Sequence, residues 1–177
     1  MDPIKDAEPT IAELHVGDDP SAWERLGFHI ENSRCLIGAT HVVFTEGRRG
    51  IHSWVLRNSL SSQFGPIPTS FTHDPVPEPA IAHPNGSVAF HHVVLMVPEF
   101  DMGRAALTDA GVRIEQGQPF GSTENAMLRS APKMGEIELE LIGPESKDPS
   151  RDWELWGLVI AVDDIDATSE LLGDLLG

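Results

Sequence analysis

Two adjacent histidines stand at the start of an apolar run, HHVVLMV at 91–97. The alternation of apolar and β-branched residues around them is typical of a strand. Successive side chains of a strand point to opposite faces, so His91 and His92 cannot both bind one metal ion. His92 shares its face with Val94 and Met96.

Glutamates recur at every second position of a later segment, EIELELI at 136–142. On a strand, Glu136, Glu138 and Glu140 share one face, and the apolar residues between them take the other. Three carboxylates on one face require water, cations or a wet cavity, because charged side chains are rarely buried unpaired. An imidazole and a row of carboxylates are the groups of metal coordination and of proton transfer.

A repeated pattern places these segments in the chain. Copies at 11–28, 92–112 and 157–177 each contain an apolar strand, acidic or proline turn residues, and a helix closed by glycine. Such self-similarity predicts one βα unit used repeatedly. The third copy stops after its helix, which predicts either an open sheet edge, which tends to recruit another chain, or a sequence that is a fragment.

The intervening segments predict the rest of the organisation. In the first copy a helix opens at Asp18, Asp19 and Pro20, and β-favouring segments follow it at 34–37, 41–45 and 51–57. The second copy predicts a strand at 88–97, a helix at 99–110 and extended segments near 112–116, 125–130 and 135–142. The third copy predicts a strand at 153–162 and a helix at 164–176. The predicted division is an N-terminal tail (1–10), a first βαβββ module (11–57), a proline-rich linker (58–86), a second βαβββ module (87–144) and a partial third βα module (153–177).

Prolines are concentrated in the predicted linker, which holds six of the fourteen in the chain, at 66, 68, 75, 77, 79 and 84. A segment of this composition does not donate regularly to a sheet. Its two histidines, His73 and His83, are predicted to be solvated loop residues.

Composition limits the classes of partner. Twenty-eight acidic and twelve basic residues give a formal net charge of -16, which repels a phosphate backbone and argues against nucleic acid as a partner. The apolar runs are far shorter than the ~20 residues that span a bilayer, and residues 1–10 lack the order of a signal peptide, so no membrane association and a cytoplasmic location are expected. Cys35, the single cysteine, is predicted to be a small buried hydrophobic residue.

The segments FHHVVLMVPEFD, GEIELELIGP and GLVIAVDDIDA, in this order, resemble glyoxalase-like proteins of the vicinal oxygen chelate superfamily. The resemblance covers 88–166 well and 11–57 more weakly. It implies an α+β fold in which repeated βαβββ modules form a curved, incomplete barrel, often with a divalent metal in the cavity that chelates substrate oxygens. Members include lyases, isomerases, epimerases, ring-cleaving dioxygenases and metal-free drug-binding proteins, so the fold alone does not choose a function.

The resemblance also implies metal ligands. The first strand of a module supplies a histidine, which is His92 here, and the last strand supplies a glutamate, which is Glu140. A site of this type needs at least three protein ligands, but Ile11 and Gly157 stand at the positions matching His92. Glu13 and His15 share the face of Ile11, displaced along the strand by about 7 and 13 Å, and Glu13 is the nearer replacement.

Three functional hypotheses follow. In the first, a divalent metal (Zn, Ni, Mn or Fe) held by His92, Glu140 and Glu13 polarises paired substrate oxygens, and Glu138 moves a proton next to a carbonyl in a lyase or isomerase reaction. In the second, the incomplete ligand set marks a metal-free protein that sequesters a small hydrophobic or cationic molecule. In the third, which is compatible with both, the partial module pairs with a second chain in a homodimer.

Arginines of the second module offer a donor for an anionic substrate, but none has a motif around it. Arg104, Arg113 and Arg129 are therefore predicted to be surface residues in salt bridges. His29 and His41 are predicted to be ordinary surface or rim residues. Phosphate loops, a nucleophile elbow, an HExxH motif and tyrosine are all absent from the sequence, which excludes kinase and nucleophilic hydrolase chemistry.

Overall fold

The computed structural model describes residues 8–61, 63–78, 81–122 and 126–176. These residues form two curved, unclosed sheets and a few helices, and the predicted α+β class is confirmed. The strands are β1 (Thr10–Val16), β2 (Arg34–Ile37), β3 (Thr40–Phe44), β4 (Ile51–Arg57), β5 (Thr69–Thr72), β6 (Ser87–Met96), β7 (Gln118–Phe120), β8 (Met127–Ser130), β9 (Lys133–Met134), β10 (Ile137–Gly143) and β11 (Glu154–Val162). The helices are α1 (Pro20–Arg25), α2 (Phe100–Asp109), α3 (Ile165–Leu172) and a final 3-10 turn, Gly173–Leu175.

The N-terminal sheet has the order β2-β3-β1-β4-β5. Strand β1 pairs with β3 in parallel and with β4 in antiparallel orientation. Between β1 and β2, helix α1 begins where the sequence predicts it, because the Asp19 side chain accepts a hydrogen bond from the Ser21 amide at 3.0 Å and Pro20 occupies the first turn.

The C-terminal sheet has the order β11-β6-β10-β8-β7, and β9 pairs with β10 outside this path. Strand β6 pairs with β10 in parallel and with β11 in antiparallel orientation. The predicted extended segment at 112–116 is not a strand, and β7 begins at Gln118 instead.

The two sheets repeat one arrangement. In each, a first strand (β1 or β6) lies between a parallel neighbour from its own module (β3 or β10) and an antiparallel neighbour on its other side (β4 or β11). Strand β4, predicted to be the last strand of the first module, therefore occupies the place that β11 holds in the second sheet. The strand predicted to open the third module is β11. Its counterpart in the N-terminal sheet is β4, so the repeated arrangement includes β4.

One hydrophobic core connects the sheets. Leu14 and Val16 of β1 and Val93 and Leu95 of β6 are fully or almost fully buried, as strand alternation predicts. Between the sheets, the aromatic rings of Trp54 and Phe64 meet edge to face at 4.9 Å, and Phe64 meets Trp153 at 6.3 Å. Gly65, at φ +54°, allows the Trp153 ring to lie against the backbone, where a Cβ atom would meet the ring at 3.0 Å.

Cys35 lies in this core. It is free and fully buried, and burial raises the pKa of its thiol to about 12.

The described residues of the proline-rich segment, 58–61, 63–78 and 81–86, are partly paired with the N-terminal sheet. The segment contributes strand β5, which pairs in parallel with β4. His83 is 6% exposed, which contradicts the prediction that it is solvated. Its Nδ1 accepts a hydrogen bond from the His29 amide at 3.0 Å, and its Nε2 lies 2.8 Å from the Leu36 carbonyl oxygen. His83 therefore fastens this segment to the N-terminal sheet.

None of the helices in the described part of the chain has the length and apolarity needed to cross a bilayer.

Candidate functional site

His92 and Glu140 come together on one face of the C-terminal sheet. They lie on the neighbouring strands β6 and β10, where Glu140 is opposite Val94 and His92 is opposite Glu138. The His92 ring reaches diagonally across the register, and its Nε2 lies 3.5 Å from Glu140 Oε2. The side chains of His92 and Glu140 are 21% and 12% exposed. We call this surface, with His92, Arg129, Glu138 and Glu140, the polar face.

Arg129 binds the other oxygen of Glu140. It lies on β8, opposite Ile142 of β10, and its Nε forms a salt bridge with Glu140 Oε1. The guanidinium also lies over the ring of Phe120, 5.8 Å from its centroid. Arg129 forms a salt bridge, as predicted, but its partner belongs to the candidate site. Arg104 pairs with Asp101, and Arg113 pairs with Glu8.

His91 contacts His92 although their backbone positions face opposite sides of the sheet. The two rings are 5.2 Å apart, and their Nδ1 atoms are 2.9 Å apart. A hydrogen bond between two imidazoles requires one ring to donate and the other to accept. His91 therefore fixes the orientation of the His92 ring, and Nε2 of His92 is directed at Glu140.

The other two glutamates of the predicted acidic row have different positions. Glu138 lies on β10 directly opposite His92 and is partly exposed, within reach of a molecule bound at the polar face. Glu136 precedes the strand, beside Gly135, and is exposed. Of these two glutamates, Glu138 lies at the polar face.

Glu13 lies in the N-terminal sheet and not beside His92 and Glu140. Its Oε2 is 2.9 Å from His15 Nε2, and its Oε1 forms a salt bridge with Arg34 of β2. Within the described ranges, no group of three or more His, Cys, Asp or Glu side chains is arranged to hold a metal ion. The structure thus brings together two of the three predicted ligands.

Glu13, His15 and Arg34 form a cluster in the N-terminal sheet, and their contacts shift the pKa of Glu13. Burial opposes ionisation of Glu13, but the hydrogen bonds from His15 and Arg34 together outweigh it and hold the pKa of the carboxyl below its usual value. His41, opposite Glu13 on β3, is a further member and not merely a rim residue. Burial first and the Arg34 charge second lower the pKa of His41.

The lowered pKa of Glu13 predicts a pH-dependent contribution to stability. A carboxyl whose pKa is lower in the folded state contributes stability that is present above the unfolded pKa and lost as pH falls through the folded pKa. We expect Glu13→Gln to reduce the free energy of unfolding by about 1 kcal/mol at pH 7, and the difference from wild type to shrink as pH falls from 4.5 through the lowered pKa of the folded state. Urea unfolding at several pH values measures it, with exposed Glu24→Gln as the control. A difference that stays constant between pH 3 and 7 would contradict the assignment.

The spacing of His92 and Glu140 is that of two donors to one metal ion, but the third protein ligand that such a site needs is not beside them among the described residues. Two donor atoms that each lie about 2.1 Å from a tetrahedral ion are about 3.4 Å apart, and the measured Nε2 to Oε2 distance is 3.5 Å. An imidazole and a carboxylate are also suitable donors for Zn, Ni, Mn and Fe. Because Arg129 occupies Glu140 Oε1, a metal ion has to compete with its guanidinium.

A cavity of about 490 Å³ adjoins the polar face. Arg129 and Phe120 are in its wall, together with Gln118, Ser130 and Pro132. Its size is that of a small-molecule site, and Arg129 is the residue shared by the cavity and the His92–Glu140 pair.

No protein-family model matches the sequence, and no curated protein matches it. Solved structures are similar in fold. A mutant of 4-hydroxymandelate synthase from Streptomyces coelicolor matches with a TM-score of 0.64 and 18% identity, over 95% of this chain and 76% of that one. An extradiol ring-cleaving dioxygenase from B. fuscum matches with a TM-score of 0.56 and 15% identity, over 95% of this chain and 61% of that one.

A fusion protein of a xylose isomerase-like TIM barrel and 4-hydroxyphenylpyruvate dioxygenase matches with a TM-score of 0.55 and 12% identity, over 94% of this chain and 39% of that one. This chain therefore spans less than two thirds of the dioxygenase and of the fusion protein. At these identities the likeness establishes the fold.

Proposed function

From the premise that the chain has the vicinal oxygen chelate fold, which its likeness to these structures establishes, we propose that it is a glyoxalase-type enzyme. It binds a small oxygenated substrate at the polar face and moves a proton next to a carbonyl group, as a lyase or isomerase. A cytoplasmic location and a homodimer remain predictions from the sequence.

The observation that carries this proposal is the meeting of His92 and Glu140. The first strand and the last strand of one module bring an imidazole nitrogen and a carboxylate oxygen within 3.5 Å on the same face. Both side chains are mostly buried yet lie beside a polar, accessible surface. A His–Glu pair in this environment is suited to ligand or acid–base roles.

A divalent metal would be held by His92 Nε2 and Glu140, and it would supply Lewis-acid polarisation of the substrate oxygens. The protein's own groups do the rest. Glu138, opposite His92 in the strand register, would remove and return the proton. Arg129, once released from Glu140, carries a guanidinium that can hold an oxyanion of the substrate. His91 keeps the His92 ring in one orientation.

Metal titration by isothermal calorimetry tests the proposal. Purified protein stripped of metal is titrated with Zn²⁺ and Ni²⁺, and we expect one site per chain. His92→Ala and Glu140→Gln should each weaken binding at least about tenfold, since each removes one of two donors. His73→Ala, a loop histidine, is the matched control. One-site binding that is unchanged in both site variants would refute the assignment.

A second candidate function is metal-free binding of a small molecule. It is favoured by the Arg129–Glu140 salt bridge, which already neutralises the carboxylate, and by the lack of a third donor among the residues the structure describes. Under this alternative, a small-molecule ligand quenches or shifts tryptophan fluorescence equally with and without a chelator. The enzyme proposal expects the chelator to weaken that response.

A further inference from the structure

A second cavity, of about 340 Å³, lies at the seam between the two sheets. Its walls include core side chains, among them Ile11 and Ile37 of the N-terminal sheet and Phe90 and Ile137 of the C-terminal sheet. Val76, which is 59% exposed, lines it as well. The volume is at the lower end of the range for small-molecule sites.

Arg57 contributes a buried positive charge to this cavity. The residue is 8% exposed, and its Nε donates to the Asp74 carbonyl oxygen at 3.0 Å. It forms no salt bridge with any carboxylate in the described ranges. Arginine does not lose its proton in proteins, and an unpaired buried charge is strongly unfavourable. The remaining nitrogens of Arg57 have no hydrogen-bond partner among the described residues and are not sealed from solvent, so they are available to an anion in the cavity.

Two neighbours of Arg57 support this view. Thr10, its partner in the β1–β4 register, also lines the cavity, and its hydroxyl oxygen is buried with no hydrogen-bond partner among the described residues. The Arg57 charge also contributes, after burial and Arg34, to the lowered pKa of His41.

We propose that the seam cavity binds a small apolar molecule carrying one carboxylate. The carboxylate accepts hydrogen bonds from the free nitrogens of Arg57 and from the Thr10 hydroxyl, and the apolar body occupies the space between Ile37 and Phe90. The site belongs to β1, β4 and the seam, and it is separate from the His92–Glu140 pair.

Glu136 is the acidic group that faces this cavity from the C-terminal sheet. It is exposed at the rim and lies beyond salt-bridge distance of Arg57. An anionic ligand enters past its charge, so Glu136→Gln should strengthen binding. If Glu136 instead neutralises Arg57 in solution, wild type shows no binding and the proposal fails.

Calorimetric titration of the full chain with octanoate tests the proposal. We expect one site with a dissociation constant below about 1 mM, and weaker binding of octan-1-ol, which has the same chain without the charge. Arg57→Met should weaken octanoate binding about tenfold or more and leave octan-1-ol binding unchanged. Arg49→Met, at an arginine whose side chain is 95% exposed, is the matched control and should bind as wild type does.

Should Arg57→Met not fold, Ala39→Leu fills the cavity while keeping the arginine, and it should abolish binding of both probes. The proposal is overturned if wild type shows no saturable octanoate binding, or if octanoate binds Arg57→Met or Ala39→Leu as tightly as it binds wild type.

Discussion

Replacing Arg129 with glutamine is expected to tighten binding of a divalent metal ion at His92 and Glu140 by about tenfold. In the free protein the guanidinium holds one oxygen of Glu140, so a metal ion must first break that salt bridge. Arg129 also places a positive charge beside the incoming ion, and like charges at this range repel. Glutamine removes the charge and leaves a side chain of similar length. Calorimetric titration with Zn²⁺ at constant ionic strength measures the change.

The matched control is Arg104→Gln. Arg104 is an arginine of the same module, paired with Asp101 on the surface of α2, and its loss should not alter metal affinity. Weaker metal binding in Arg129→Gln would show that the guanidinium supports the site and does not compete for it. If, in addition, the small-molecule ligand binds equally well with and without a chelator, weaker metal binding in Arg129→Gln would favour the metal-free alternative.

The contrast between Arg129 and His92 shows how far the sequence predicts this site. Alternation along a strand places His92 and Glu140 each on a defined face, because the side-chain period is two. The meeting of the two residues depends on a parallel pairing of strands whose partner residues are 46 positions apart, which the resemblance implies. Arg129 reaches Glu140 only through the antiparallel register of β8 against β10, and no local pattern encodes that register.

Glu13 illustrates the opposite outcome. From Glu13 to Val16 the burial alternates as predicted, with Leu14 fully buried and Glu13 only partly, but Ile11 and Ala12 are both buried and the register shifts between Ile11 and Glu13. What the sequence does not reveal is that β1 and β6 are central strands of two separate sheets. Glu13 therefore meets His15 and Arg34, and the ligand set at His92 stays at two.

The sequence predicts the helices and strands better than it predicts which strands pair with each other in the sheets. Turn and cap residues such as Asp19 and Pro20 act locally, so helix α1 begins where the sequence indicates. Strand β4 has the composition of any half-buried strand, and its place beside β1, equivalent to that of β11, is decided by long-range packing. Strand β5 lies in the proline-rich segment, and it pairs with β4 over Thr69–Thr72, a stretch that contains no proline.

Trp54→Ala is expected to lower the free energy of unfolding by about 3–5 kcal/mol, the cost of removing a large aromatic side chain from a core. Trp54 is fully buried, and its ring contacts Phe64, which in turn contacts Trp153 at the start of the second sheet's edge strand. Its indole N–H also donates to the Thr69 hydroxyl at 2.7 Å, which holds β5 against β4. The substitution therefore removes packing between the sheets and one buried hydrogen bond together.

Urea unfolding followed by circular dichroism measures the loss, and two variants separate its causes. Trp156→Ala removes a tryptophan that is 68% exposed, and it should change stability by less than about 0.5 kcal/mol. Trp54→Phe keeps most of the buried ring but not the N–H donor, so it should cost less than the alanine variant while still leaving Thr69 without that partner. A loss below about 1 kcal/mol in Trp54→Ala would mean that the sheets are held together elsewhere. The seam would then tolerate an empty space as large as an indole, which close packing of a shared core does not allow.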